Sequence, residues 1–148
     1  MKIINLSKKF FIFIIYFLFF LNNNAYSLTL EKTSVTLDNP WGMSWMDDNN
    51  LLITQKSGEI FIVNTNYYTK TKIDHKIPFI QHGQGGLLDI TSEKNIVWVT
   101  GSIKKKGKYT TAIYRAEFKN DKLINEKLIY EAIPYFDNGK HFGSRIEI

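Results

Sequence analysis

The chain has 148 residues, with 19 basic and 14 acidic side chains, a net charge of +5 and no cysteine. The lack of cysteine excludes a cysteine nucleophile and a metal–thiolate site. Three lysines and no acid lie before Leu28, which leaves 16 basic and 14 acidic side chains, a net charge of +2, on the rest. That balance gives no case for nucleic acid binding.

The segment from Met1 to Ser27 predicts a secretory signal peptide. The three lysines come early, an unbroken apolar run follows (Phe10–Leu21), and Ala25 and Ser27 are small residues at the cleavage positions. The run is short for a permanent anchor, which needs roughly 20 apolar residues, although an uncleaved N-terminal anchor stays the alternative. We expect cleavage after Ser27, a mature domain over residues 28–148, a periplasmic or secreted location, and no stable membrane insertion after cleavage.

From residue 28 onward the pattern is that of successive β-strands. Aromatic and β-branched residues are frequent, and turn residues recur every eight to twelve positions. Turns at Ser57-Gly58, Lys104–Lys108 and Asn120-Asp121 separate predicted strands over Asn50–Thr54, Glu59–Asn64, Asn95–Ile103, Tyr109–Phe118 and Lys122–Tyr130. The lysine-rich segment is interpreted as a solvated hairpin turn.

An internal repeat organises these strands. Three segments share one outline, in which a chemically distinctive residue is followed by a spacer, a glycine and a strand: Pro40–Met46, Gln84–Ile90 and His141–Glu147. Their glycines are Gly42, Gly86 and Gly143, and three further strand candidates lie between one glycine and the next. Four strands per repeat of this length is typical of a β-propeller blade. A two-sheet sandwich is the alternative, but it does not explain the outline. The sequence therefore predicts an all-β propeller with two blades and the start of a third.

The propeller interpretation places the candidate site. Each repeat glycine would begin an innermost strand, where close backbone approach leaves little room for a Cβ atom. The residues just before, including Gln84 and His141, would converge on one mouth of the central channel. Trp41, Trp45 and Trp98 are expected to be core aromatics between blades.

The number of blades predicts a fragment. Propellers close with roughly four to eight blades, and two blades would leave apolar faces without partners. The sequence is therefore interpreted as the N-terminal part of a longer propeller. Assembly of several short chains into one ring is the alternative.

His141 is the leading candidate for a catalytic group, because an imidazole titrates near neutrality and can accept a proton from a substrate hydroxyl. Gln84 can donate and accept hydrogen bonds, which suits a substrate contact, but tying down its own glycine-rich loop explains it equally well. Arg145 would share a strand face with His141, beneath the imidazole or paired with an acid. Asp89, inside an apolar strand, needs a partner, and a structural hydrogen bond to a neighbouring blade is favoured.

Several motifs together resemble one family. Asn39-Pro-Trp-Gly-Met43, with Leu51–Thr54 and Gly58–Ile60, resembles the opening blade of the soluble PQQ-dependent aldose sugar dehydrogenases, the glucose/sorbosone dehydrogenase family (PQQ is pyrroloquinoline quinone). Gly83–Asp89 and His141–Arg145 resemble its next two blade openings, in order. The resemblance covers the chain from about residue 30 to the end.

The resemblance implies a six-bladed propeller that oxidises an aldose at C1 to the lactone, with hydride transfer to PQQ, a calcium ion and a separate electron acceptor. It implies that His141 is the general base and that Gln84 and Arg145 contact substrate or cofactor. Lys140 stands where some members have an aspartate before the histidine. Calcium ligands and most PQQ-binding residues are expected beyond Ile148, so no metal ligand is assigned here and the fragment is expected to be inactive alone. The alternatives are a non-catalytic periplasmic propeller that binds a sugar or a protein, and a calcium-dependent lactonase-like hydrolase.

Overall fold

The computed structural model describes residues 10–14 and 28–148. The chain divides into two units between Lys32 and Thr33. In the first unit, residues 10–14 are helical, and the rest of the predicted signal peptide lies outside the described residues. Among the described residues, no helix has the length and apolar character needed to cross a membrane.

The second unit contains two four-stranded antiparallel sheets whose strands follow chain order. The first sheet comprises β1 (Pro40–Asp47), β2 (Asn50–Gln55), β3 (Ile60–Asn64) and β4 (Thr69–Ile73). The second comprises β5 (Leu87–Glu93), β6 (Ile96–Lys105), β7 (Lys108–Lys119) and β8 (Lys122–Glu131). These are two blades of the predicted kind, called blade 1 and blade 2 below. For the five strands whose ends were predicted from the sequence, the observed ends agree to within two residues.

Local signals account for the hairpins. Ser57 and Gly58 lie in the turn between β2 and β3, and the lysine-rich segment forms the turn between β6 and β7, as predicted. Gly107 has φ +83° there, a conformation that glycine adopts without strain. Because a tight turn fixes the register of its two strands, these pairings need no long-range information.

The core lies between the two blades. Leu52, Ile60 and Ile73 from blade 1 join one cluster with apolar residues of blade 2, and all of them are buried: Leu87, Ile90, Val97, Val99, Ala116 and Leu123. Burying such side chains contributes about 25 cal/mol for each Å² of apolar surface removed from water. The expectation that Trp41 and Trp45 also pack in the core is wrong, because they are 54% and 57% exposed.

The two blades begin with the same irregularity. In blade 1, Pro40 pairs with Gln55 and Met43 with Ile53, so the first strand carries one extra residue between the two pairs. In blade 2, Leu87 pairs with Gly101 and Ile90 with Val99, which is the same β-bulge. This register aligns Gly42 with Asp89.

The predicted equivalence of the three glycines is therefore wrong, although the repeat itself is real. Gly42 does lie at a close approach, since a Cβ there would come within 2.8 Å of Asp89 Cα. Around Gly143 no atom lies within 4 Å of such a Cβ, and residues 141–148 form no strand. Gly86 directly precedes β5, whereas Gly42 is the third residue of β1, so the shared outline aligned a glycine outside a strand with one inside a strand.

Candidate active site

Two loops meet at one end of the blades. The first, residues 81–86, leads into β5, and the second, residues 137–141, follows β8. The backbone N–H of Gln84 donates to the carbonyl of Gly139 at 2.7 Å. The N–H of His141 donates in turn to Gln84 Oε1 at 3.1 Å. The structure thus brings together two residues that are 57 positions apart, as the sequence predicted.

Gly83 allows the two loops to approach each other. It has φ +58°, and a Cβ on it would lie 2.4 Å from the carbonyl oxygen of Gly139. Real Cβ atoms do not come that close to an oxygen, so a larger residue would force the loops apart. The hydrogen bond from Gln84 to Gly139 depends on this approach.

His141 presents its imidazole to solvent. The residue is exposed and has φ +63°, a left-handed conformation that is uncommon outside glycine. Its hydrogen bond to Gln84 uses the backbone, so the ring is left to bind something else. Within the described part of the chain, no carboxylate is hydrogen-bonded to that ring, and Lys140 precedes it. The imidazole of His141 can therefore accept a proton from a ligand without first breaking a hydrogen bond to a carboxylate of this chain.

Gln84 has one side-chain group in use and one available. Its Oε1 accepts from His141, whereas its Nε2 has no hydrogen-bond partner among the described residues. Its side chain therefore ties the second loop at His141, and among the described residues it makes no hydrogen bond to its own glycine-rich loop, which was the role weighed from the sequence. Donation from Nε2 to a ligand is compatible with the bond to His141, because the oxygen and the nitrogen of the amide are separate groups.

Arg145 lies next to Asp89 and not beneath His141. Its Nη1 is 3.9 Å from Asp89 Oδ1, and its side chain is 75% exposed. Asp89 is buried, and its Oδ2 accepts a hydrogen bond from the N–H of Ile146 at 2.9 Å. The predicted structural role of Asp89 is confirmed, since its carboxylate anchors the segment that follows His141.

A second hydrogen bond, from Thr100, fixes the segment that follows His141. Thr100 Oγ1 accepts from the N–H of Asp89 at 3.0 Å and donates to the carbonyl of Ser144 at 2.6 Å. Thr54 does the same one blade earlier, accepting from Gly42 at 2.9 Å and donating to Leu88 at 2.5 Å. Each threonine therefore connects the first strand of its own blade to the chain segment that comes next.

Sequence reasoning missed Lys56 and His82. Lys56 Nζ donates to the carbonyl of Gly83 at 2.8 Å, directly before Gln84. His82 stacks on Tyr109, with ring centroids 3.9 Å apart and planes inclined by 7°. The sequence carries no signal for either contact, because both join residues that lie more than 25 positions apart.

The two loops carry charges of both signs, since Asp137 and Lys140 both lie in the second one, and no metal site is evident among the described residues. Across residues 10–14 and 28–148, no group of three histidine, aspartate, glutamate or cysteine side chains is placed to hold a metal ion. The exposed guanidinium of Arg145 lies four residues after His141, and the ammonium of Lys56 reaches the Gln84 loop from blade 1. These two groups can donate to an anionic ligand.

Comparison with known families decides the relationship. Residues 37–148 match the family model described as Glucose / Sorbosone dehydrogenase. This chain belongs to the glucose/sorbosone dehydrogenase family. The match confirms the resemblance carried by the three motifs, and it covers both blades and the whole candidate site.

Curated relatives of the family support the same placement. An uncharacterized protein (slr1608) of Synechocystis sp. is 31% identical over 123 residues, which cover 74% of this chain and 30% of that protein. Aldose sugar dehydrogenase YliI of Escherichia coli is 26% identical over 129 residues, which cover 81% of this chain and 35% of that enzyme. The chain therefore spans about a third of the length of these relatives.

Solved structures confirm the β-propeller fold. The soluble aldose sugar dehydrogenase of Escherichia coli, solved in the apo form, superposes with a TM-score of 0.69 at 27% identity, covering 76% of this chain and 35% of that one. The PQQ-bound form of the aldose sugar dehydrogenase of Streptomyces coelicolor gives a TM-score of 0.60 at 20% identity, covering 71% and 34%. The latter likeness concerns the fold alone.

Proposed function

We propose that this chain supplies the proton-abstracting side of a PQQ-dependent aldose dehydrogenase. The observation that carries the proposal is the contact between His141 and Gln84, made in a chain that belongs to the glucose/sorbosone dehydrogenase family. A curated relative is named an aldose sugar dehydrogenase, and a protein of the same fold has been solved with PQQ bound. The substrate class is therefore an aldose sugar.

His141 acts as the general base in this proposal. Its exposed imidazole accepts the proton of the C1 hydroxyl while the hydrogen on C1 departs as hydride, and the sugar becomes a lactone. The hydride leaves more readily because the oxygen on the same carbon gains electron density as its proton is removed. When bound, PQQ supplies the two-electron acceptor for that hydride.

Gln84 and Arg145 bind and orient. The Nε2 of Gln84 is available to donate to a substrate or cofactor oxygen while its Oε1 holds the His141 backbone. PQQ carries carboxylates, and the guanidinium of Arg145 suits them because it is exposed and its pairing with Asp89, at 3.9 Å, is a long one. Arg145 is therefore the residue of this chain that fits a carboxylate of the cofactor.

Calcium is assigned no ligand in this chain. No group of three potential ligand side chains exists among the described residues, so no step of the proposal uses a metal. For the 148-residue chain by itself we expect no turnover. Electrons are proposed to pass finally to a separate acceptor, for which a redox dye substitutes in an assay.

A chimera tests the proposal directly. Residues 37–148 replace the matched third of the Escherichia coli relative, and aldose-dependent dye reduction is measured with PQQ and calcium added. His141→Gln should lower kcat by roughly 10²- to 10⁴-fold, the usual contribution of a general base, and leave PQQ binding unchanged by absorbance titration. Full turnover in that variant would refute the role of His141. A chimera that binds sugar but never reduces the dye would favour the non-catalytic propeller.

Export is proposed as well. The predicted leader ends at Ser27, and most of it lies outside the described residues. The chain expressed in a Gram-negative host should reach the periplasm, with Leu28 as its first residue by N-terminal sequencing. Recovery of an intact N-terminus from the membrane fraction would support the uncleaved anchor instead.

A further inference from the structure

Lys56 contacts the Gln84 loop on both sides of Gln84. The residue lies in the turn after β2, and its ammonium donates to the carbonyl of Gly83 at 2.8 Å. Its own backbone carbonyl accepts from the N–H of Leu87 at 3.2 Å. One residue of blade 1 is therefore bonded to both ends of the segment Gly83–Leu87, with Gln84 between the two bonds.

The stem of Lys56 packs against the same segment. A Cβ added to Gly86 would lie 2.7 Å from Lys56 Cγ and 2.3 Å from Lys56 O, so the glycine lets the stem and the backbone of Lys56 lie directly against the loop. The ammonium is also 5.5 Å from the ring centroid of Trp41, within the range of a cation–π contact. Trp41 limits the positions open to the ammonium, which favours the one that reaches Gly83.

The contacts of Lys56 continue to the proposed base. Gly83, which Lys56 holds, is followed by Gln84, whose N–H bonds Gly139 at 2.7 Å and whose Oε1 accepts from His141 at 3.1 Å. Movement of the first loop would therefore change both bonds to the second. The path from Lys56 to His141 consists of two hydrogen bonds, the Gly83–Gln84 peptide bond and the side chain of Gln84.

We infer that Lys56 is a positioning residue, which sets the place of Gln84 and through it the backbone of His141. The consequence of this inference for catalysis rests on the proposed function. The inference itself states that Lys56 keeps the two loops in fixed positions. It assigns Lys56 no contact with the reacting atoms. Its effect is therefore expected on the loops and not on the stability of the blades.

Hydrogen exchange of the full 148-residue chain tests this inference. Lys56→Met keeps the apolar stem and the backbone bond to Leu87 but removes the ammonium. The amides of Gln84 and His141 should then exchange about fivefold faster, as expected for the loss of one ordinary hydrogen bond. Lys56→Arg should restore most of the protection, because a guanidinium can also donate to Gly83.

Lys70→Met is the matched control. Lys70 also lies over an aromatic ring, 4.7 Å from the centroid of Phe61, and its Nζ donates to the carbonyl of Thr36 at 2.7 Å. It makes the same two kinds of contact as Lys56, away from the Gln84 loop. Its replacement should leave exchange at Gln84 and His141 unchanged.

The outcomes separate the positioning role from a general structural one. Unchanged exchange at both amides in Lys56→Met would overturn the inference. Equal acceleration throughout the core strands, or the same loop effect in Lys70→Met, would also overturn it, because the effect would then be global. The readout does not involve catalysis, so an active His141→Gln chimera would refute the proposed base without deciding the role of Lys56.

Discussion

Thr54 and Thr100 make the same pair of hydrogen bonds in successive blades. Each hydroxyl accepts from a backbone N–H in the first strand of its own blade and donates to a carbonyl of the next segment, Leu88 for Thr54 and Ser144 for Thr100. Both side chains are buried. The repeat is thus defined by a threonine and a β-bulge, and this repeated contact connects one blade to the next.

Replacing Thr54 by Val should destabilise the unit that contains both blades. The change leaves the N–H of Gly42 and the carbonyl of Leu88 without this partner, and each unsatisfied buried group costs about 1–3 kcal/mol. We expect the free energy of unfolding, measured by urea titration, to fall by about 2 kcal/mol or more. Thr54→Ser keeps the hydroxyl and should cost about 1 kcal/mol or less. A loss in Thr54→Val no larger than that in Thr54→Ser would show that the two hydrogen bonds of the hydroxyl contribute no more than the methyl group does.

Replacing Gly83 by Ala should separate the two loops of the site. The new Cβ would lie 2.4 Å from the carbonyl oxygen of Gly139, in addition to the strain of φ +58°. The amide of Gln84 should lose protection against hydrogen exchange, since its acceptor is that same carbonyl. Gly107→Ala is the control, because it has φ +83° but no atom within 4 Å of the added Cβ. Gly107→Ala should introduce a similar backbone strain but leave hydrogen exchange at the Gln84 amide unchanged.

Changing Gln84 to Leu removes the acceptor of the His141 N–H and the available donor together. In the chimera we expect kcat to fall about tenfold or more, because the backbone of the base is no longer fixed by a bond of 3.1 Å. Gln84→Glu keeps an acceptor at that position but loses the donor. If the glutamate variant keeps its hydrogen-exchange protection at His141 yet loses activity, the donor acts on substrate or cofactor. If both variants retain full activity, the proposed role of Gln84 is wrong.

Glu131 should make the stability of blade 2 depend on pH. Its carboxylate accepts from the Tyr135 hydroxyl and from Lys105 Nζ at 3.0 Å, and these bonds, Tyr135 first, lower the pKa of Glu131 below its ordinary 4.5. The hydrogen bond to Glu131 raises the pKa of Lys105 above 10.5, and the pKa of Tyr135 above 10.0.

The directions of these pKa shifts determine how stability changes with pH. A lowered carboxyl pKa gives stability that is present above pH 4.5 and is lost as the pH falls through the folded value. The raised pKa values of Lys105 and Tyr135 give stability that is present below about pH 10 and is lost as the pH rises further.

We therefore expect the melting temperature of Glu131→Gln to depend less on pH below 4.5 and above 10 than that of the parent chain. Glu93→Gln, at the end of β5, is the control, because its side chain has no hydrogen bond or ion pair within the described residues. A parallel pH profile for parent and Glu131→Gln would show that this cluster contributes nothing measurable.

The family and the individual strands could be predicted from the sequence because their signals are local. Alternating apolar residues and a tight turn, Ser57-Gly58, fix the hairpin of β2 and β3 within 15 residues. The three glycine-flanked motifs carry the resemblance without any knowledge of packing. The closeness of Gln84 and His141 also followed, because the fold class places successive blade openings at one end of the channel.

Other features could not be predicted because they depend on distant segments. The equivalence of Gly42 and Asp89 shows only in the strand pairing, so the predicted equivalence of Gly42 and Gly86 failed. The exposure of Trp41 and the pairing of Arg145 with Asp89 depend on which faces the two blades bury.

Without any coordinates, the chain is identifiable as an all-β member of the glucose/sorbosone dehydrogenase family, with His141 and Gln84 as candidate site residues. How those residues are held becomes visible in the folded chain: through the His141 backbone, the approach of Gly83 to Gly139, and the bond from Lys56. Hairpin register is set within neighbouring residues, whereas a hydrogen bond across 27 or 57 residues depends on the packing of two complete sheets.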